Sequence, residues 1–222
     1  QELLPEAIIS CYDSYDDSQL SHLLDWADVV CIGCGLGMGQ ISEKILKNVL
    51  KNVSCPCVID ADGLNLLSRN IELLNQCCAP VILTPHMKEM SRLTGWSIDM
   101  IMEDRFQALD QIIKQSGPDT KSSIICVLKD SRTVVAQTNR QKFVNLAGNN
   151  SMAKGGSGDV LAGTIAGLLA QHMAPFEATT VGVFLHACGG DEAKKSKGSY
   201  SVLARDLIQG MADAMKNAKE CR

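Results

Sequence analysis

The 222-residue chain has no excess of positive charge: 21 Lys and Arg stand against 25 Asp and Glu, a formal net charge of −4. That excludes a polybasic surface for nucleic acid or anionic membrane, so an anionic ligand has to be held locally. It has no apolar run near the ~18–20 residues that span a bilayer, and its start, "QELLPEAIIS", lacks the basic and apolar regions of a secretory signal. The expected location is the cytoplasm, with neither membrane nor nucleic acid as partner. Internal repeats, low-complexity tracts and linkers are missing too, which leaves residues 1–222 as one expected domain.

Two phosphate-binding signatures are absent. In "GCGLGMG" the sixth position counted from Gly33 is Met38 and from Gly35 is Gln40, so the dinucleotide fingerprint fails. No Gly-Lys-Ser or Gly-Lys-Thr follows any glycine loop, so the P-loop fails as well. What remains at Gly33 is a strand end, read either as a close ligand approach or as a simple tight turn.

Cysteine is not scarce, with 10 in the chain. Several lie in apolar, strand-like runs ("VVCIGCG", "CPCVID", "IICVLKD"), where free Cys packs as a small hydrophobe. The spacings Cys31/Cys34 and Cys55/Cys57 lack the two paired knuckles of a structural zinc site, and no metal ligand set is assigned.

What the chain does have is alternation. "ADVVCIGCG", "PCVIDADGLNLL", "PVILTPH" and "SSIICVLKD" read as buried strands, separated by helical patterns such as "GQISEKILKNVLKNV" and "MEDRFQALDQIIKQSG". The fold expected is α/β, a mostly parallel sheet with helices on both faces. From residue 124 two turn-like breaks, 130–132 and 138–141, predict a short antiparallel meander, and the last third reads as helical. Ligands of open parallel sheets sit beyond the carboxyl ends of the strands.

One loop there stands out. In "AGNNSMAKGGSGDVLAG", Gly155, Gly156 and Gly158 precede Asp159 and a helix expected to begin about there. Unblocked N–H groups at a helix start bind anions, and a carboxylate beside them suits a base for an incoming hydroxyl. The plainer reading is a helix cap. Gly163 and Gly167, one turn apart, are expected to let this helix lie close against another element, with Val160, Leu161, Ile165, Leu168 and Leu169 filling the core.

Together "GCGLG", "DADGLNLL", "LTPHMKEMSRLTG", "VLKDSRTVV", "AGNNSMAKGGSGDVLAGTIAGLLAQ", "HACGGD" and "ARDLI" resemble, in order and spacing, the ribokinase-like family of ATP- or ADP-dependent NAD(P)H-hydrate dehydratases. The resemblance implies phosphorylation of the ring hydroxyl of hydrated NAD(P)H, (S)-NAD(P)HX, then elimination of phosphate, with ATP or ADP as co-substrate and Mg2+ as cofactor. It makes Asp159 the base and Gly155, Gly156 and Gly158 the anion hole. It assigns Lys129, Asp130, Ser131, Arg132, Thr133 and Asn149 to the nucleotide, and Gly35, His86, Glu89 and Arg92 to the hydrate. By itself, His86 is equally a turn residue.

Three departures from the pattern appear: Cys34 where the family has proline, Ser151 where it has glycine, and early strands that the family places before the segment resembling "LLPEAIIS". The chain is therefore expected to be N-terminally incomplete. It should associate with copies of itself or with a chain that completes the sheet, and work beside an NAD(P)H-hydrate epimerase. The rival readings are a thiazole- or pyrimidine-type alcohol kinase of the same fold, and a catalytically silent nucleotide-binding module.

Overall fold

The structure, a computed structural model, describes residues 4, 6–11, 14–114 and 123–220. Helix α1 (Asp17–Trp26) leads into β1 (Val30–Ile32), α2 (Gln40–Asn52), β2 (Cys57–Ile59), α3 (Ala61–Leu67), a 3-10 turn (Ile71–Gln76) and β3 (Val81–Leu83). Then come α4 (Met87–Thr94), α5 (Ile98–Glu103), α6 (Arg105–Ile113), β4 (Ile124–Leu128), β5 (Val134–Gln137) and β6 (Phe143–Val144). A second 3-10 turn (Asn150–Met152) precedes α7 (Ser157–Ala170), α8 (Pro175–Lys197) and α9 (Ala204–Glu220). The end of the helical stretch read over 102–117 lies outside the described residues beyond 114.

The six strands pair in chain order. β1 to β4 are parallel, and β4, β5 and β6 antiparallel, as the meander predicted. Alternate side chains of each strand feed different cores because successive Cβ atoms leave opposite faces of a sheet. Cys57, Ile59, Val81, Leu83, Ile124, Cys126 and Leu128 pack with α2, α3 and α6. Val58, Ile82, Ile125, Val127 and Val135 pack with α7 and α8. Both faces are buried, which is why these strands read as unbroken apolar runs.

The small residues of the last three helices do not act as the sequence suggested. A Cβ on Gly163 or Gly167 would meet nothing within 4 Å among the described residues, so neither brings α7 against a described neighbour. The close approaches lie elsewhere. A Cβ on Gly210 would stand 2.1 Å from the Gly189 carbonyl, so α8 and α9 meet backbone to backbone, and one on Gly182 would stand 2.8 Å from Ile165. On α7, Leu161, Ile165 and Leu169 are buried, whereas Val160 and Leu168 are only partly so.

The cysteines divide as well. Cys57, Cys77 and Cys126 are buried, but Cys31 and Cys34 are exposed rather than packed. Gly33 is the tight-turn glycine: at φ +122 a Cβ would fall 1.9 Å from the Asp60 carbonyl, so the first glycine loop closes on its own chain.

Candidate active site

The carboxyl ends of β2, β3 and β4 deliver Asp60, His86 and Lys129 to one edge of the sheet. Lys129 follows β4 and its N–H donates to the Pro85 carbonyl at 2.8 Å, which ties it beside His86. Asp60 precedes α3 but makes no capping bond to it, so its carboxylate is free to turn to Lys129. The Lys129 Nζ to Asp60 Oδ1 distance is 2.7 Å, with both side chains largely buried. Ala61, next in the chain, sits at φ +48. A non-glycine residue there is strained, and such strain persists where the surroundings enforce it.

His86 and Glu89 form a reciprocal cap on α4. His86 Nδ1 accepts from the N–H groups of Lys88 and Glu89 at 3.0 and 3.3 Å, while the His86 N–H donates to Glu89 Oε2 at 2.9 Å. The turn-residue reading of His86 is therefore correct as far as Nδ1 goes. Because Nδ1 is an acceptor, the ring proton sits on Nε2, 3.4 Å from Glu89 Oε1. Burial, then the Lys129 charge, pushes the His86 pKa down. Burial pushes that of Glu89 up.

Opposite stands the start of α7, at Ser157, two residues before Asp159. Gly156 precedes it at φ +86 and ψ −14, a left-handed conformation that glycine adopts without steric cost. No described side chain caps this helix, so its first-turn N–H groups keep their partial positive charge for a ligand. Lys129 Nζ reaches the same place: a Cβ on Gly158 would lie 3.2 Å from it and 3.3 Å from Asp60 Oδ2.

The loop before α7 is fastened from both sides. Asp191 of α8 accepts from the Gly148 N–H at 3.0 Å and from Asn149 Nδ2 at 2.8 Å. Lys154 donates to the carbonyls of Tyr200 and Val202. Ser151 takes an ordinary backbone conformation, and its hydroxyl donates to Asn149 Oδ1 at 2.5 Å, so serine here closes a local turn without needing glycine's range.

Residues 129–133, Asn149, Gly155, Gly156, Gly158, Asp159, His86 and Glu89 line one cleft of about 950 Å³. Gly35 and Arg92 do not. Gly35 is an exposed turn glycine at φ +69, and Arg92 is exposed with its guanidinium on Asn65 Oδ1 at 2.6 Å. The Cys34 thiol stands against Asp159, and donor atoms of Cys34, Asp60 and Asp159 lie within 4.8 Å of one another, a grouping with metal-ligating side chains that the sequence had not disclosed. Although Cys34 as a residue is exposed, partial burial of its sulfur, and the bond to Asp159, push the thiol up to about 12.

Asp159 and Lys129 thus line one cleft at an uncapped helix start. A family model described as NAD(P)H-hydrate dehydratase matches residues 1–212. The ADP-dependent (S)-NAD(P)H-hydrate dehydratase of Neisseria meningitidis is 35% identical over 222 residues, 98% of this chain and 73% of that protein. The chain belongs to the NAD(P)H-hydrate dehydratase family.

Other members of the NAD(P)H-hydrate dehydratase family give the same result. The bifunctional NAD(P)H-hydrate repair enzyme Nnr of Moorella thermoacetica is 37% identical over 193 residues. The match covers 87% of this chain but only 35% of that enzyme, so the chain spans about a third of it. The ADP/ATP-dependent NAD(P)H-hydrate dehydratase of Bacillus subtilis, co-crystallised with ATP and Mg2+, superposes with a TM-score of 0.75 at 29% identity, over 86% of this chain and 64% of that one. Within this dehydratase fold the sequence reading placed Asp60 at a ligand-facing strand end but gave it no role, and it missed Asn145, His186 and Asp191 as cleft or loop-holding residues. "DADGLNLL" and "HACGGD" contained three of them, without any spacing that set their chemistry apart.

Proposed function

We propose that this chain uses ADP or ATP to dehydrate (S)-NAD(P)HX to NAD(P)H. The observation that supports this most directly is Asp159 in the first turn of uncapped α7, with Lys129 reaching Gly158 across the same cleft. Asp159 takes the proton of the ring hydroxyl as that oxygen attacks the terminal phosphorus, and the N–H groups around Gly155, Gly156 and Gly158, with Lys129, receive the transferring phosphoryl group. The carbon–oxygen bond then breaks with phosphate leaving, the ring nitrogen lone pair supplies the electrons, and loss of a proton from the adjacent carbon restores the ring double bond. Phosphate leaves where hydroxide does not.

Residues 129–133 and Asn149 hold the nucleotide, while the His86 Nε2–H and Glu89 hold the hydrate, with Gly35 and Arg92 at its outer margin. The oxygen donors at the anion loop fit a hard divalent ion: Asp60 Oδ2 faces Gly158 while Oδ1 is taken by Lys129. Asp60, with the nucleotide phosphates, would hold Mg2+ there, and the ion would supply charge neutralisation. An epimerase has to convert the other hydrate epimer. Among the described residues β1 has a single neighbour in the sheet; the edge this leaves is a template for a strand from a second copy or another chain. No described helix is long and apolar enough to cross a membrane, and a cytoplasmic site of action fits a nicotinamide-cofactor substrate.

The test is to mix the chain with hydrated NADH, Mg2+ and either nucleotide, and follow the return of NADH absorbance. Asp159→Asn is expected to bind nucleotide but lose about two to four decades of turnover. Accumulation of a phosphorylated alcohol with no NADH regained makes the chain a kinase instead.

A further inference from the structure

The cleft wall carries an apolar stretch of Met152, Leu161, Val183 and Ala187, and set among it are two polar side chains, His186 and Asn145. They are 8% and 4% exposed. Each ends in an atom with no hydrogen-bond partner among the described residues, His186 Nε2 and Asn145 Oδ1. Buried polar atoms without partners are rare and point to a missing ligand or water.

Both atoms are acceptors. The Asn145 amide is oriented by Nδ2, which donates to the Ala147 carbonyl at 3.0 Å, a group that can only accept, so Oδ1 is the end left over. The Ser157 carbonyl takes the Nδ1–H of His186, and burial holds the ring neutral, its pKa pushed down to about 4. Nε2 is thus a lone pair at neutral pH.

Two lone pairs repel phosphate oxygens and call for N–H or O–H donors. They are attached to the segments read above as the nucleotide site. The Asn145 N–H bonds the Thr133 carbonyl at 2.8 Å, and His186 bonds Ser157 beside Gly158. The hydrate residues, His86 and Glu89, belong to another element, α4 and its cap. A flat ligand edge with N–H donors, against an apolar wall, describes a purine bearing an exocyclic amine.

We infer that Asn145 Oδ1 and His186 Nε2 accept from the 6-amino group of adenine and make this cleft reject 6-oxo purines, whose carbonyl oxygen would face both lone pairs. This deepens the proposed function and rests on its nucleotide assignment.

The experiment is calorimetric titration of the 222-residue chain with ADP, IDP and N6,N6-dimethyl-ADP, each with Mg2+. The expected result is ADP binding tighter than either analogue by about tenfold or more, the scale of one unpaired buried acceptor. In His186→Leu and Asn145→Leu the preference should drop to about threefold or less, read as a ratio within each variant so that a general loss of affinity cancels. Equal binding of ADP and both analogues to the unaltered chain overturns the inference with no variant needed, as does an undiminished preference in both variants. If ADP and IDP bind alike while NADH is still regenerated, only this inference fails. If neither ADP nor ATP binds, the proposed function fails with it.

Discussion

Replacing Gly158 by alanine separates stability from ligand binding. Gly158 lies in the first turn of α7, outside the left-handed region, so alanine suits its backbone and gains up to about 1 kcal/mol of helix propensity. Against that, the new Cβ would stand 3.2 Å from Lys129 Nζ and 3.3 Å from Asp60 Oδ2. The lysine tip must retreat by a few tenths of an ångström, which strains but does not break its 2.7 Å pair with Asp60. The net effect on folding is within about 1 kcal/mol, or ~2–4 °C in Tm for a chain of this size. Nucleotide loses more, because a phosphate oxygen bonded to the first-turn N–H groups has to share that space with a methyl group. An affinity loss of at least about tenfold, ~1.4 kcal/mol, is expected. Thermal melting without ligand and calorimetric titration with ADP and Mg2+ measure the two sides. A variant that melts normally and binds ADP as tightly as before refutes the placement of phosphate against Gly158.

Two further outcomes follow from the buried charges. Lys129→Met leaves the Asp60 carboxylate, 2% exposed, without its cation; urea unfolding should show a loss of about 3 kcal/mol, largely recovered by adding Asp60→Asn, and an unchanged midpoint contradicts the pairing. Burial pushes the His186 pKa in the folded chain down to about 4, from the ordinary histidine value of 6.5. Between those pH values the unfolded chain binds a proton that the folded chain refuses, so stability falls as pH drops through the window, by roughly 3 kcal/mol at most. The difference in urea midpoint between the unaltered chain and His186→Leu should shift across pH 6.5 to 4 and be flat above it.

The sheet was legible because strands buried on both faces leave apolar runs too continuous to mistake, and the start of α7 because a run of glycines before an acid marks a loop that gives way to a helix. Pairings across the chain were not. Lys129 and Asp60 meet over a separation of 69 residues, and "DADG" offers two aspartates with nothing local to say that the first turns to the lysine while Asp62 holds the Gly37 N–H. The helix glycines show the same limit. Gly163 and Gly167 have the spacing of a close contact and none of its surroundings, whereas Gly189 and Gly210 touch because α9 folds back onto α8, which no local pattern records. His186 and Asn145 carry no sequence signature at all; only their burial beside an open cleft marks them.

The strand order also bears on how the molecule is made. Since β1 to β6 pair in the order in which they are synthesised, each crossover closes a short stretch of chain, and the sheet can grow at one edge as a ribosome delivers it. Its two sides do not mature together. The side covered by α2, α3 and α6 is finished strand by strand, while Val58, Ile82, Ile125 and Val127 wait for α7 and α8. The helix start proposed to receive the anion and the Asp191 that fastens its loop both belong to that late third. A nascent chain therefore holds a nearly complete sheet with one sticky side before the proposed anion site at α7 exists, so a ligand bound there cannot protect the intermediate most prone to aggregate.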